Sequence, residues 1–159
     1  MKILVRGGRV IDPASGRDEA ADLAIAAGRI VTIGAVPANF EAARVIDAKQ
    51  HPNADKLPVC QVDTGSGVVE VVCGAPNARA GMIGVFAPLG SYIPGTGITL
   101  DKRPVRGVVS NGMLVSEREL QLSEDHEGII DLGDAYAGSV GKRYIDVMAL
   151  GDPVVEVKL

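Results

Sequence analysis

Three cations within five residues, Lys102, Arg103 and Arg106, form the densest basic cluster in this 159-residue chain. Arginine forks and lysine point charges at this density suit contacts with phosphate oxygens; the same residues also suit a solvated strand edge. Lys56 and Arg79 are further cations in turn-rich surroundings. His51 and His126 are distant in sequence, and with two cysteines they supply too few ligands at these spacings for a metal site. Ser116-Glu117 has no histidine in motif range, and Ser116 with Glu119 reads as a capping box instead. Gly95-Thr96-Gly97 lacks the Lys-Ser/Thr and the helix of a phosphate-binding loop. Asp125-His126-Glu127 reads as a solvated turn. Cys60 and Cys73 each sit in a strand-like run. They read as buried small hydrophobes, while a disulfide between neighbouring strands is geometrically open. These residues predict a chain that is not an enzyme and takes no metal and no cofactor.

Composition bounds what must position these residues. The chain is 47% hydrophobic with only 3% aromatics, so its core is aliphatic. That content excludes an intrinsically disordered chain. A net charge of -4 excludes a basic nucleic-acid arm. Gly 20 and Pro 9 punctuate the sequence often enough to favour many short strands over long helices. No apolar run approaches the roughly 18–20 residues of a membrane span. Arg6, Arg9 and Asp12 interrupt the first apolar stretch, so no secretory signal is read there and a cytoplasmic location is expected.

Residues 2–5 and 9–11 read as short strands around a Gly7-Gly8 turn. Asp12 to Gly16 is strong turn chemistry, and residues 17–21 could add one helical turn. Residues 22–26 and 29–33 form a hairpin around Ala27-Gly28. Pro37-Ala38-Asn39 is the one plausible linker. Residues 40–48 are ambiguous between helix and strand. A second hairpin joins residues 57–63 to 68–73 through Gly65-Ser66-Gly67. Strands are expected at 82–87, 98–100, 105–109, 128–132 and 154–159, and short helices at 116–120 and 140–150. No repeat is visible.

Two resemblances rest on these residues. Residues 1–48, with KILVRGGRVIDPASGRDEAADLAIAAGRIVTIG followed by FEAARVIDA, resemble the N-terminal segment of dihydroorotase and related amidohydrolases. Residues 43–159 resemble the tRNA-binding, OB-fold domain of the bacterial phenylalanyl-tRNA synthetase beta chain. The strings are HPNADKL (51–57), VCQVDTGSG (59–67), VVCGAPNARAGM (71–82), IPGTGITL (93–100), RGVVSNGML (106–114), SEREL (116–120) and DHEGII (125–130). Pro58, Val109, Val115 and Gln121 depart from that pattern, Gln121 standing where glycine is usual. The strings overlap at residues 43–48, so the chain reads as a recombinant or designed chimera joined through a shared strand, with a natural gene fusion as the alternative.

The expected fold is therefore mainly β: an OB-fold barrel with short helices over residues 42–159, preceded by short antiparallel β-hairpins over residues 1–41. The amidohydrolase-like segment brings no second metal-binding histidine, so no hydrolysis is expected. The synthetase resemblance implies a non-catalytic RNA-binding module whose partner is tRNA, bound weakly and salt-sensitively through Lys56, Arg79, Lys102, Arg103 and Arg106. The alternative is a structural chimera with no retained activity. The acidic excess of residues 123–134 should face away from RNA. Open strand edges in the N-terminal hairpins predict a homodimer, and no membrane contact is expected.

Overall fold

The computed structural model describes residues 2–14, 16–26, 29–34, 39–122, 124–148 and 155–156. Among them the chain is mainly β, in two principal sheets. The first contains β1 (Lys2–Asp12), β2 (Arg17–Ala26), β3 (Arg29–Ile33) and a closing strand, Val155–Glu156, in the spatial order closing strand, β1, β2, β3. The expected Gly7-Gly8 turn is instead a bulge inside one long strand. The β1–β2 register shifts between Val5 and Gly8, with Gly7 at a φ of 59°. The expected helical turn at residues 17–21 is also overturned. That segment pairs with β1 as far as Asp12↔Arg17, and Arg9 clasps Asp18 at 2.6 Å; cross-strand pairing outweighs a weak helical preference. Val155 and Glu156 pair parallel with Ile3 and Leu4, so one edge expected to be open is occupied. Residues 154 and 157–159 of the expected last strand lie outside the described residues.

The second sheet is the OB-type barrel. Its strands β4 (Glu41–His51), β5 (Ala54–Asp63), β6 (Val68–Val72), β7 (Ile83–Pro88) and β12 (Gly112–Leu114) lie in the order β12-β7-β4-β5-β6. The two edges approach where Asn111 N donates to Glu70 O at 2.9 Å and Val72 N donates to Ser110 Oγ at 3.1 Å. The ambiguous residues 40–48 are thus mostly strand. Ala42 and Ala43 are fully buried, their small side chains fitting a strand covered on both faces. Val45, Cys60, Val62, Val71, Phe86 and Leu114 fill the interior. Each fully buried valine there contributes about 1.5–3 kcal/mol. The other face of β7, with Val85 and Ala87, packs under Phe40, Ile93, Leu120 and Tyr144.

Between β7 and β12 the chain makes two small hairpins: β8 (Tyr92–Ile93) with β9 (Ile98–Thr99), and β10 (Arg103–Val105) with β11 (Val108–Ser110). The single strand expected at 105–109 is therefore a turn flanked by two strands. The helix expected at 116–120 is a turn, although both capping-box contacts form: the Glu119 carboxylate accepts from the Ser116 backbone N–H, and the Glu119 N–H donates to Ser116 Oγ at 3.5 Å. Leu122 N bonds Glu117 O at 2.9 Å and Gln121 turns left-handed at a φ of 59°, which stops the helix. Residues 128–132 carry ladder-like bonds, Ile130 N to Val115 O and Leu132 N to Ile83 O, without becoming a strand. A 3-10 segment (Asp134–Ser139) and α1 (Tyr144–Val147) follow. Among the described residues no helix is long and apolar enough to cross a membrane.

A candidate nucleic-acid interface

Type, turn and anchor combine at the β10–β11 hairpin. Val105 pairs with Val108, leaving a two-residue loop of Arg106 and Gly107. Both residues have positive φ, 49° and 94°. That is the backbone sense of the hairpin turn whose twist matches its strands, and Gly107 adopts it without steric cost. Arg106 does so at a cost of roughly 1–2 kcal/mol. Its side chain is exposed at the tip, and Arg103 and Lys102 are exposed at the base of β10.

A second hairpin holds this one. His51 pairs with Ala54 across the β4–β5 connection, leaving Pro52 and Asn53 as its loop. The His51 ring is buried, at 2% exposure. Its Nδ1 accepts the Asn53 backbone N–H at 2.9 Å, which leaves the proton on Nε2 to donate to Val105 O at 2.9 Å. Asn53 Nδ2 donates to Arg106 O at 3.1 Å. The histidine that sequence reading left without a role is thus a latch between two hairpins. The HPN spacing was the signal for it: a tight turn with a ring at its start and an amide at its end. Lys56 stands exposed on β5, three residues beyond Asn53.

Lys56, Lys102, Arg103 and Arg106 therefore lie on or beside two hairpins tied together and form no ion pair among the described residues, while Arg79 lies elsewhere. Arg79 Nη2 contacts Asp131 Oδ2 at 2.6 Å, and the guanidinium holds the Asp131 carboxyl below its ordinary range. Asn77 binds the same neighbouring segment twice, donating to Ile129 O at 2.8 Å and accepting from Ile129 N at 2.9 Å. The acidic segment and Arg79 thus share one flank. A groove of about 390 Å³ runs between the latched hairpins and the barrel wall, lined in part by Lys49, Gln50, Gln61, Glu70 and Val108. Gln61 Nε2 donates to Glu70 at 2.9 Å and Lys49 pairs with Asp47 at 3.0 Å, so this wall is polar and Lys49 is already paired.

Among the described residues no group of three or more His, Cys, Asp or Glu could hold a metal ion. The exposed His126 ring lies 3.2 Å from Glu124 O, and Asp125 caps the Glu127 N–H at 3.0 Å. Cys60 and Cys73 are free thiols.

Residues 40–139 match the family model of the putative tRNA binding domain. The chain belongs to this family. The match begins where the barrel begins, one residue before β4, and leaves β1, β2 and β3 outside it. The chain is 54% identical over 127 residues to the phenylalanine–tRNA ligase beta subunit of Cereibacter sphaeroides, covering 76% of this chain and 16% of that protein. It is 58% identical over 123 residues to the same subunit of Bradyrhizobium diazoefficiens, covering 76% and 15%. A MetRS related protein from Pyrococcus horikoshii is similar at a TM-score of 0.45 and 23% identity, over 64% of this chain and 84% of that one. As a tRNA-binding-domain member, the chain spans about a sixth of the ligase subunits it matches.

Proposed function

We propose that this chain is a non-catalytic module that binds tRNA through the β10–β11 hairpin, with Lys102, Arg103 and Arg106 on backbone phosphates and Lys56 beside them. The observation that carries the reading is the latch. The buried His51 ring and the exposed Asn53 amide fix the backbone at Val105 and Arg106, so an arginine is presented from a rigid tip in a family described as tRNA binding. Arg79 contributes little, because Asp131 already occupies its guanidinium. Phosphate contacts supply affinity and orientation without reading sequence, so the hairpin alone selects no particular tRNA. Binding is expected to be weak: residues 49–159 carry 10 basic and 14 acidic residues.

β1, β2 and β3 form a sheet with Val155–Glu156, outside the family match and absent from both core clusters of the barrel. That separation supports our reading of a joined chain whose first segment is amidohydrolase-like. The outer edge of β3 is unpaired among the described residues and is the edge through which a second copy would add. A clean monomer by light scattering removes that dimer.

Filter binding with bulk tRNA tests the function. Three phosphate contacts predict that raising salt from about 50 to about 200 mM weakens binding about 20- to 40-fold. The change of Lys102, Arg103 and Arg106 together to Ala should abolish it. Absence of binding at low salt returns the chain to a structural role.

A further inference from the structure

Two thiols that the tRNA reading does not use face one another inside the barrel. The β5–β6 register pairs Cys60 with Val71, so Cys73 is its diagonal neighbour, and Cys73 N donates to Pro58 O at 2.9 Å. Both side chains belong to the same interior cluster and neither is in a disulfide. We propose that Cys60 and Cys73 are a site of oxidative cross-linking, in which a peroxide converts the pair to an intrachain disulfide with Cys73 reacting first.

The two sulfurs are not equivalent. Cys73 lines a cavity of about 280 Å³ with Gly74, Ala75, Ser116 and His126, which gives a small oxidant a route to it. Cys60 is fully buried behind it. The Ala75 backbone N–H donates to Cys73 Sγ at 3.5 Å, a contact that favours the thiolate, the nucleophilic form. Cys60 is pushed the other way: its contact with Cys73 and its burial raise its thiol well above the ordinary range, so it stays protonated. The chemistry then balances in two steps. The Cys73 thiolate attacks a peroxide oxygen and breaks the O–O bond, giving a sulfenic acid and releasing hydroxide. The released hydroxide takes the Cys60 proton as water, the Cys60 thiolate attacks the Cys73 sulfur, and the S–O bond breaks with hydroxide leaving. The peroxide is reduced and the two thiols are oxidised together.

Diagonal partners in an antiparallel pair stand about 7–8 Å apart between Cα atoms, just beyond the roughly 6.8 Å that a disulfide spans. Cys73 follows the last residue of β6 and keeps one ladder bond, to Pro58 O, so closing the bridge takes a backbone shift of about 1 Å at this strand end.

The test treats the full chain with hydrogen peroxide, denatures it in N-ethylmaleimide and weighs it. The proposal expects two maleimide adducts without peroxide. With peroxide it expects none, a mass lower by two hydrogens, and one cross-linked peptide joining Cys60 to Cys73. In Cys60→Ser the sulfenic acid should persist at Cys73 and be trapped by dimedone; in Cys73→Ser the remaining thiol should stay reduced. Two reactive thiols after peroxide, bridges only between chains, or oxygen adducts on separate cysteines would each overturn it. The wild-type masses decide the matter even if a serine variant fails to fold.

Discussion

Arg106 carries two costs at once, a left-handed backbone and an exposed charge at a hairpin tip. Asparagine adopts that conformation more readily and makes the favoured two-residue turn with glycine. Arg106→Asn should therefore raise stability by about 0.5–1 kcal/mol in urea unfolding and weaken tRNA binding. A gain in stability without loss of affinity would show that the charge has no role. His51 acts through its two nitrogens rather than its charge. His51→Phe fills the space but strands Val105 O and the Asn53 N–H, at about 1–3 kcal/mol; His51→Gln, with a donor and an acceptor, should recover part of that in the same assay. The identity of His51 was legible in the sequence, but its role was not. Its hydrogen-bond partner lies 54 residues away, in a segment that read as one strand. The cation cluster was legible because its members are adjacent in sequence. The commitment of Arg79 was not, since Asp131 reaches it only through the fold.

At the scale of elements, strands bounded by glycine and by turn residues were readable, as β5 and β6 show around Gly65 to Gly67. Failures fell where a long-range partner decided the outcome. Residues 17–21 became strand because β1 lies alongside, and residues 116–120 kept their capping bonds but lost the helix to the reversal at Gln121. The cap over β7 offers a pH test. Tyr144 is buried there at 2% exposure, its backbone N–H donating to Phe40 O at 2.6 Å, and burial pushes its phenol up to about 12. The folded state holds the phenolic proton more tightly than the unfolded chain, where the value is about 10. The stabilisation is complete below about pH 10 and is lost as pH rises towards 12. Wild type should thus lose about 1–2 kcal/mol more than Tyr144→Phe across that window, measured by unfolding at fixed pH values. Parallel curves would contradict the assignment. Gly95 is a second test of the same layer. A Cβ there would lie 2.0 Å from Arg118 O, so Gly95→Ala should separate the two loops and lower the melting temperature by several degrees.

Among the described residues the molecule has two principal sheets, and both hydrophobic core clusters belong to the barrel part. No residue of β1, β2 or β3 enters either barrel cluster, and residues of both parts, Asp12, Arg17, Ile33 and Gln121 among them, line a common cleft. Limited proteolysis between β3 and β4 should release a barrel that stays folded and binds tRNA as the full chain does. A fragment that aggregates would mean that the N-terminal sheet covers the barrel. The central claim is that affinity for tRNA comes from phosphate contacts on one latched hairpin. The slope of log affinity against log salt for labelled tRNA tests it most directly. Wild type should give a slope of about -2 to -3, and the Lys102, Arg103 and Arg106 triple alanine variant should show binding too weak to measure at any of those salts. Equal slopes and equal affinities for the two proteins would contradict it.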